Sequence, residues 1–276
     1  MGLSMGDDPT PRLKAVLRGM RRVAVAVSGG VDSLTLAAVA RGVLGDAARM
    51  YHAVSPAVPP EATARTRALA AAQGWMLDVF DAGEFGDPAY RRNPVDRCFF
   101  CKTHLYAAIA ARATAPIVSG TNLDDLGEYR PGLGAARDHG VRHPFVEAGI
   151  DKNGVRAIAA RLDLGEIAAL PAAPCLSSRI ETGIAIEPPV LAAVHRVETL
   201  LTAELRPRTV RCRVRGNGVV VELDAATLAG LGDERRAGLG AQLAPLLHEA
   251  GLPHPVSFAA YRSGSAFLRR LVPGRA

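Results

Sequence analysis

From Arg21 onward, short apolar runs alternate with longer segments of helical period. RRVAVAVS reads as a buried strand, VDSLTLAAVARGVL as a helix, ARMYHAVS as a strand, PPEATARTRALAAAQG as a helix and WMLDVFD as a third strand. A helix running to about Arg112 follows, then the strand PIVSGTN, a short helical segment around Gly134 to His139, VRHPFVE, and the helix DKNGVRAIAARL. This alternation predicts an α/β fold, a Rossmann-like doubly wound parallel sheet with helices on both faces. Leu170 to Pro189 is proline-rich and without period, which marks a working loop or a linker. Beyond it the order changes to a long helix (Pro189 to Leu205), the hairpin TVRCRVRGNGVVVEL turned by Gly216, Asn217 and Gly218, a helix, and a last strand ending in YRSGS. The pattern divides the chain into a lead-in (1–20), an α/β domain (21–165), a connecting loop (166–182) and a smaller α+β domain (183–276).

Composition adds limits. A chain of 276 residues that is 49% hydrophobic has core enough for a large domain and a small one without a disulfide scaffold. Residues 1–20 contain no apolar signal region, and no run approaches the roughly 18 apolar residues of a membrane span. A cytoplasmic, reducing location is therefore expected, where cysteines more often bind metal or do chemistry than form structural disulfides. The net charge of +6 is an arginine excess, which suits phosphate-bearing ligands but is too mild to establish nucleic-acid binding, so RNA is held open without being the expected partner.

The stretch SGGVDS, Ser28 to Ser33, stands where the first strand ends and a helix begins. Gly29 and Gly30 let backbone approach an anion, Ser28 and Ser33 add hydroxyl donors, and the helix starting near Val31 offers free N–H groups and a favourable dipole. Asp32 is the odd member, since a carboxylate beside phosphates makes sense when it holds Mg²⁺. The stretch differs from the GxxxxGK[ST] phosphate loop and resembles the PP-loop of the ATP pyrophosphatases, which cleave ATP to AMP and pyrophosphate while adenylating an acceptor oxygen. SGTNLDDLGEYRPG follows the fourth strand, so Asp124, Asp125 and Glu128 can face the same crevice as Asp32. With ATP as ligand, the contacts are assigned to Ser28, Gly29, Gly30, Val31, Asp32, Ser33, Gly120, Thr121, Asn122 and Asp125, with Asp124 and Glu128 joining Asp32 as weaker candidates for Mg²⁺.

The chain has four cysteines. Cys98 and Cys101, three apart in RCFFCK, can point the same way from a helix start, as a metal clip, a redox pair or two small hydrophobes. Cys175 lies in the irregular PAAPCLSSRI loop. In TVRCRVR the alternation puts Val210, Cys212 and Val214 on one face, so Cys212 belongs to the core. Three thiolates would remain, and three leave one iron of a cubane cluster open to an exogenous ligand such as hydrosulfide.

RCFFCK, GTNLDDLGEYRPG, PAAPCLSSRI and YRSGS, in this order around a PP-loop, resemble the ATP-dependent sacrificial sulfur transferases of the LarE family over essentially the whole chain. The resemblance implies adenylation of a carboxylate of pyridinium-3,5-biscarboxylic acid mononucleotide and its conversion to thiocarboxylate for a nickel-pincer nucleotide cofactor. It implies ATP, Mg²⁺ and a 4Fe-4S cluster on Cys98, Cys101 and Cys175 that carries the sulfur, or Cys175 itself as sacrificial donor, with Asp32 and Cys175 as catalytic residues. It also implies a homo-oligomer, with a hexamer as one form, and no membrane. The chain departs from the family pattern at Glu128, at IAALPAAP and at Glu181-Thr182-Gly183.

For the substrate phosphate, Arg211, Arg213 and Arg215 form a row spaced ~7 Å apart on one strand face. Arg262, Ser263 and Ser265 lie on the last strand, expected to neighbour that row. Two other readings compete: a PP-loop iron-sulfur tRNA thiolase, and a nucleotide-binding regulator that senses iron without turnover.

Overall fold

The computed structural model describes residues 8–127, 129–171, 174–252 and 255–268. Chain contacts divide the protein into two compact units, one of residues 1–84 with 98–173, the other of residues 85–97 with 174–276. Among the described residues no helix is long and apolar enough to cross a membrane.

The first unit holds a parallel sheet of β1 (Val23–Ala26), β2 (Ala48–Val54), β3 (Met76–Asp81) and β4 (Ile117–Ser119), in the order β3-β2-β1-β4. β1 is buried along its whole length because both sheet faces are covered. Val23 and Val25 pack with Leu13, Leu34, Met50 and Ile158, while Ala24 and Ala26 pack with Tyr51, Tyr106, Ile109 and Ile117. The helix Val31–Leu44 matches its predicted bounds and buries nearly all sides of its first three turns, so its apolar character is all-round rather than one-faced. Helices Pro60–Gln73, Arg97–Ala110, Gly132–Asp138 and Lys152–Arg161 lie where the periodicity put them. Arg142 of VRHPFVE makes one bridge to Val118, and Pro144–Glu147 then turns into a short helix.

The strand order places the functional end of this unit. The chain runs outward from β1 through β2 to β3 and returns to β4 on the other side of β1. The loops leaving β1 and β4 therefore separate at a topological switch point, where open α/β sheets form their ligand crevices.

The second unit has β5 (Val210–Arg215) and β6 (Gly218–Leu223) as an antiparallel hairpin and β7 (Val256–Ala260) parallel to β6. Leu191, Val194, Val197 and Leu201 of the helix Pro188–Leu205, with Leu239, Leu243 and Leu247 of Asp233–His248, supply its core. Residues 85–97 join this unit through Asn93, whose backbone adopts φ 55°. Its amide donates to the carbonyls of Ile180, Glu181 and Ile184 at 2.9–3.3 Å, and its own carbonyl accepts from Gly183 N.

β7 differs from expectation. Its last ladder bond is Tyr261 N to Leu223 O, and Arg262 and Ser263 fall in the turn that follows, where Gly264 takes φ 69°. Its neighbour is β6, because the hairpin fills one edge of β5 and Ile180 bridges Val214 at the other.

Candidate functional site: a phosphate cradle and a braced cysteine

The Ser28–Ser33 turn is closed by its own side chains. Ser33 Oγ accepts from Ser28 N at 3.0 Å and donates to Gly30 O at 3.1 Å, with the Ser28 hydroxyl 3.1 Å away. Gly29 has φ 80°, and a Cβ there would lie 2.6 Å from Ala62 O. Arg65 donates to Gly29 O at 2.8 Å, so the helix Pro60–Gln73 clamps the turn from one side. Gly30 is the N-cap, without a side chain to satisfy the first-turn N–H groups, and the helix's first bond runs from Leu34 N to Gly30 O. The N–H groups of Val31, Asp32 and Ser33 thus precede the helical ladder, the arrangement that receives anionic oxygens.

The loop after β4 closes the other side. A Cβ at Gly120 would sit 2.8 Å from Ser33 N, so this position must be glycine for the loop to reach the cradle. Buried Asn122 donates to Asp32 Oδ1 at 3.3 Å, accepts from Asp124 N at 3.0 Å and bonds through its own N–H to Asp125 Oδ2 at 3.1 Å. Asp124 accepts from Lys152 N at 3.2 Å, and Asp125 pairs with Arg130 at 2.8 Å. Asp32, Asn122, Asp124 and Asp125 do meet, as expected, but Asp124 and Asp125 are already engaged in shaping the loop. Glu128 lies outside the described residues. Thr121 Oγ1 is 3.1 Å from Ser119 Oγ, which also bonds His143 Nδ1 at 2.9 Å. Burial pushes the His143 imidazole below its ordinary pKa, against the opposing charges of Glu147 and Asp125.

Three participants escaped the sequence reading: Arg65, His143 and Lys152, whose Nζ stands 2.5 Å from Asp32 Oδ2. Only the fold brings Lys152 across 120 residues to that carboxylate. The donor chemistry suits Mg²⁺, since Asp32 offers hard carboxylate oxygens held by Asn122 next to N–H groups that can take phosphate.

In the same unit, Cys98 and Cys101 sit half-buried one turn apart on Arg97–Ala110. The helix Gly132–Asp138 packs closely there; a Cβ at Gly132 would lie 3.0 Å from Lys102 Cγ and 3.5 Å from Cys98 O. Among the described residues no group of three or more His, Cys, Asp or Glu side chains is arranged to hold a metal ion.

In the second unit, Cys175 is exposed at the N-cap of the short turn Leu176–Arg179. The turn is braced from below. Arg179 donates to Pro174 O at 2.6 Å and Cys175 O at 3.2 Å, and makes two 2.9 Å bonds to Glu198. Ser178 O accepts from Arg213 at 2.9 Å, and the Ser177 hydroxyl lies 2.7 Å from Tyr90 Oη. Cys212 is fully buried, as the alternation required, and burial followed by the Glu198 charge pushes its thiol pKa up.

The arginine row is not a solvated face. Arg213 is 4% exposed and donates to Glu222 Oε2 at 3.0 Å, while Arg215 donates to Glu222 Oε1 at 2.8 Å. Glu222 stands opposite Arg211 in the ladder, and therefore on the same face as Arg213 and Arg215. That signal was present in VVVEL. Arg211 donates to Val210 O and lies 6.0 Å from the Tyr261 ring; Arg262 and Ser263 are exposed beyond β7. Ser265 donates to Glu222 Oε1 at 2.7 Å.

No family model matches the chain. An uncharacterised protein of Synechocystis sp. is 39% identical over 223 residues, 79% of this chain and 82% of that protein. The pyridinium-3,5-bisthiocarboxylic acid mononucleotide synthase of Lactiplantibacillus plantarum is 30% identical over 221 residues, 78% of this chain and 79% of the synthase. A tRNA(Ile)-lysidine synthase of Mycolicibacterium paratuberculosis is 32% identical over 261 residues, 88% of this chain and 73% of that enzyme. Joined to the Ser28–Ser33 cradle and the Cys175 turn, these likenesses show that the chain belongs to the PP-loop ATP pyrophosphatases, in the family of the pyridinium-3,5-bisthiocarboxylic acid mononucleotide synthase.

Proposed function

We propose that the protein is an ATP-dependent sulfur transferase that converts a carboxylate of pyridinium-3,5-biscarboxylic acid mononucleotide to thiocarboxylate, in nickel-pincer nucleotide cofactor biosynthesis. The observation that carries this reading is the exposed Cys175 held on a turn braced by the buried Arg179–Glu198 pair, in a chain that also carries a PP-loop cradle.

The N–H groups of residues 31–33 and the Ser28 and Ser33 hydroxyls hold the phosphates of ATP. Asp32 would hold Mg²⁺, which supplies charge neutralisation at the phosphates. The substrate carboxylate oxygen attacks the α-phosphorus and pyrophosphate leaves; sulfur then attacks the acyl carbon and AMP leaves. If Cys175 is the donor, its Sγ forms the acyl thioester, and loss of the α-proton breaks its Cβ–S bond, leaving thiocarboxylate and dehydroalanine. A 4Fe-4S cluster on Cys98, Cys101 and Cys175 would instead supply a transferable sulfide; two of these thiols stand in one unit and the third in the other. Arg262, Ser263 and Arg211 are assigned to the substrate phosphate, with Arg213 and Arg215 holding β5 through Glu222. Assembly as a homo-oligomer is part of the proposal.

The test is anaerobic incubation with ATP, Mg²⁺, sulfide and the mononucleotide, followed by product mass. Exchange of oxygen for sulfur, together with AMP and pyrophosphate, is expected; AMP formation without a thiolated product would overturn the reading. The likeness to a tRNA-modifying enzyme favours a second acceptor, RNA. Thiolation of tRNA, with binding that weakens steeply as salt rises, would select it.

A further inference from the structure

His143 stands at the N-cap of the short helix Pro144–Glu147, on a backbone tied to β4 by Arg142 N to Ile117 O at 2.9 Å and Ser119 N to Arg142 O at 3.1 Å. Its Nδ1 lies 2.9 Å from the hydroxyl of Ser119, which ends β4 and is 8% exposed, and that hydroxyl lies 3.1 Å from Thr121 Oγ1. Thr121 follows Gly120, where a Cβ would lie 2.8 Å from Ser33 N. A chain of hydrogen bonds thus runs from an imidazole into the loop that closes on the phosphate cradle.

A hydroxyl carries one proton, so the direction of each bond in this chain sets the direction of the next. With Nδ1 bare, Ser119 donates to it, Thr121 donates to Ser119, and Thr121 has only lone pairs left to offer. With a proton on Nδ1 the order reverses: His143 donates to Ser119, Ser119 donates to Thr121, and the Thr121 proton is free to point outward. A phosphate oxygen only accepts, so the second order alone serves a nucleotide. Burial holds the imidazole below its ordinary pKa, while the charges of Glu147, one turn along its own helix, and Asp125, on the β4 loop, pull it up. Each of these carboxylates already has a cation, Glu147 in Arg142 and Asp125 in Arg130. A triphosphate brings further negative charge to the crevice and favours the imidazolium.

We propose that His143 is a positioning residue for the nucleotide, which takes a proton from solvent as ATP binds and, through Ser119, turns the Thr121 hydroxyl into a donor toward a phosphate oxygen. This deepens the ATP reading of the cradle and rests on it. One proton passes from water to the imidazole lone pair, and no other bond is made or broken. Because the complex holds that proton more tightly than the free protein, the added affinity is complete below the free protein's titration and is lost as pH rises through that of the complex.

Calorimetric titration of the full chain with ATP and Mg²⁺ tests this, from about pH 5.5 to about pH 8.5, in buffers of different ionisation enthalpy that count the protons taken up. The proteins are wild type, His143→Asn, whose amide sits near the place of Nδ1 and does not titrate, and Ser119→Ala, which keeps the imidazole and breaks the chain. Wild type takes up protons and loses on the order of 10-fold in ATP affinity as pH rises, the worth of one charge-assisted hydrogen bond. Both variants lose that slope, and His143→Asn loses the uptake with it. The terminal phosphate of ATP titrates alike in all three, so the difference between proteins reports the chain. A folded His143→Asn with the wild-type slope overturns the proposal and leaves the ATP site standing. So does Ser119→Ala with the full slope, which would mean that His143 acts by charge alone. An equal loss of affinity at every pH, together with a lower melting temperature, is the mark of a purely structural tie and overturns it too. Wild-type protein that does not bind ATP at any pH overturns the nucleotide reading itself, and this inference with it.

Discussion

Glu198 binds Arg179 through two 2.9 Å contacts and accepts from Cys212 N at 2.8 Å through the same oxygen that receives Arg179 Nε. One carboxylate therefore ties the cysteine-bearing turn to β5. With side-chain exposures of 5% and 10%, the pair is nearly dry, and removing one partner strands a buried charge. Glu198→Ala is expected to cost ~3–5 kcal/mol of stability by denaturant unfolding. A loss below about 1 kcal/mol would mean that the turn is braced elsewhere.

Asp32→Asn should remove acceptor-dependent pyrophosphate release while preserving the melting curve. Its carboxylate is the only acid in the cradle's first helical turn, and the amide cannot hold a divalent cation against phosphate. Turnover near wild type in the folded variant would take Asp32 out of the chemistry.

The cysteine variants separate the two sulfur routes. If Cys98, Cys101 and Cys175 hold a cluster, each of Cys98→Ala, Cys101→Ala and Cys175→Ala loses bound iron and sulfide after anaerobic reconstitution, while Cys212→Ala, whose thiol is fully buried, keeps both. A sacrificial mechanism makes Cys175 alone essential, and intact-protein mass then falls by one H₂S per sulfur delivered. Dehydroalanine at 175 in protein whose Cys98→Ala and Cys101→Ala variants remain active would refute the cluster.

Gly120→Ala should be far more damaging than an alanine substitution at most glycines. Its Cβ would press to 2.8 Å of Ser33 N and 2.9 Å of Asp32 C, which are backbone atoms that cannot rotate away. ATP affinity and melting temperature should both fall; retention of both would show that the β4 loop can withdraw from the cradle.

Stability should fall on acidification through Glu222. Burial alone would raise its pKa, but the Ser265 hydroxyl and the Arg213 and Arg215 guanidinium groups outweigh it and hold the carboxyl below its ordinary value. A carboxyl depressed in the folded state binds its proton first in the unfolded chain, where Glu titrates near ~4.3. The stabilisation is present above that range and is lost as pH drops through it toward the lowered folded value. Melting temperature between pH 3 and 7 should show this slope in wild type and a shallower one in Glu222→Gln; equal slopes would rule the ion pair out as its source.

What local sequence determined is the set of features that depend on neighbours a few residues away. The alternation of apolar runs and helical periods placed β1 to β4 and the helix Val31–Leu44, and β1 and β4 read as continuous apolar runs because both of their faces are buried. SGGVDS announced its turn, since Gly29 needs a positive φ and the helix start needs an anion or a cap. The inward face of TVRCRVR likewise identified Cys212 as core.

Tertiary structure alone decided what each charged side chain does. Lys152 reaches Asp32 only because a parallel sheet with order β3-β2-β1-β4 returns the chain beside β1, and nothing local in DKNG encodes that meeting. Residues 85–97 fold with residues far along the chain because Asn93 satisfies three of their carbonyls, a pairing of hydrogen-bond donors and acceptors that leaves no periodic trace. The arginines of β5 looked like an open row because alternation reports which face a residue takes, not what covers that face. Glu222, arriving in register from β6, turned Arg213 into a buried and Arg215 into a half-buried ion-pair partner, since a guanidinium withdrawn from water must find a counter-charge and the nearest strand supplied it.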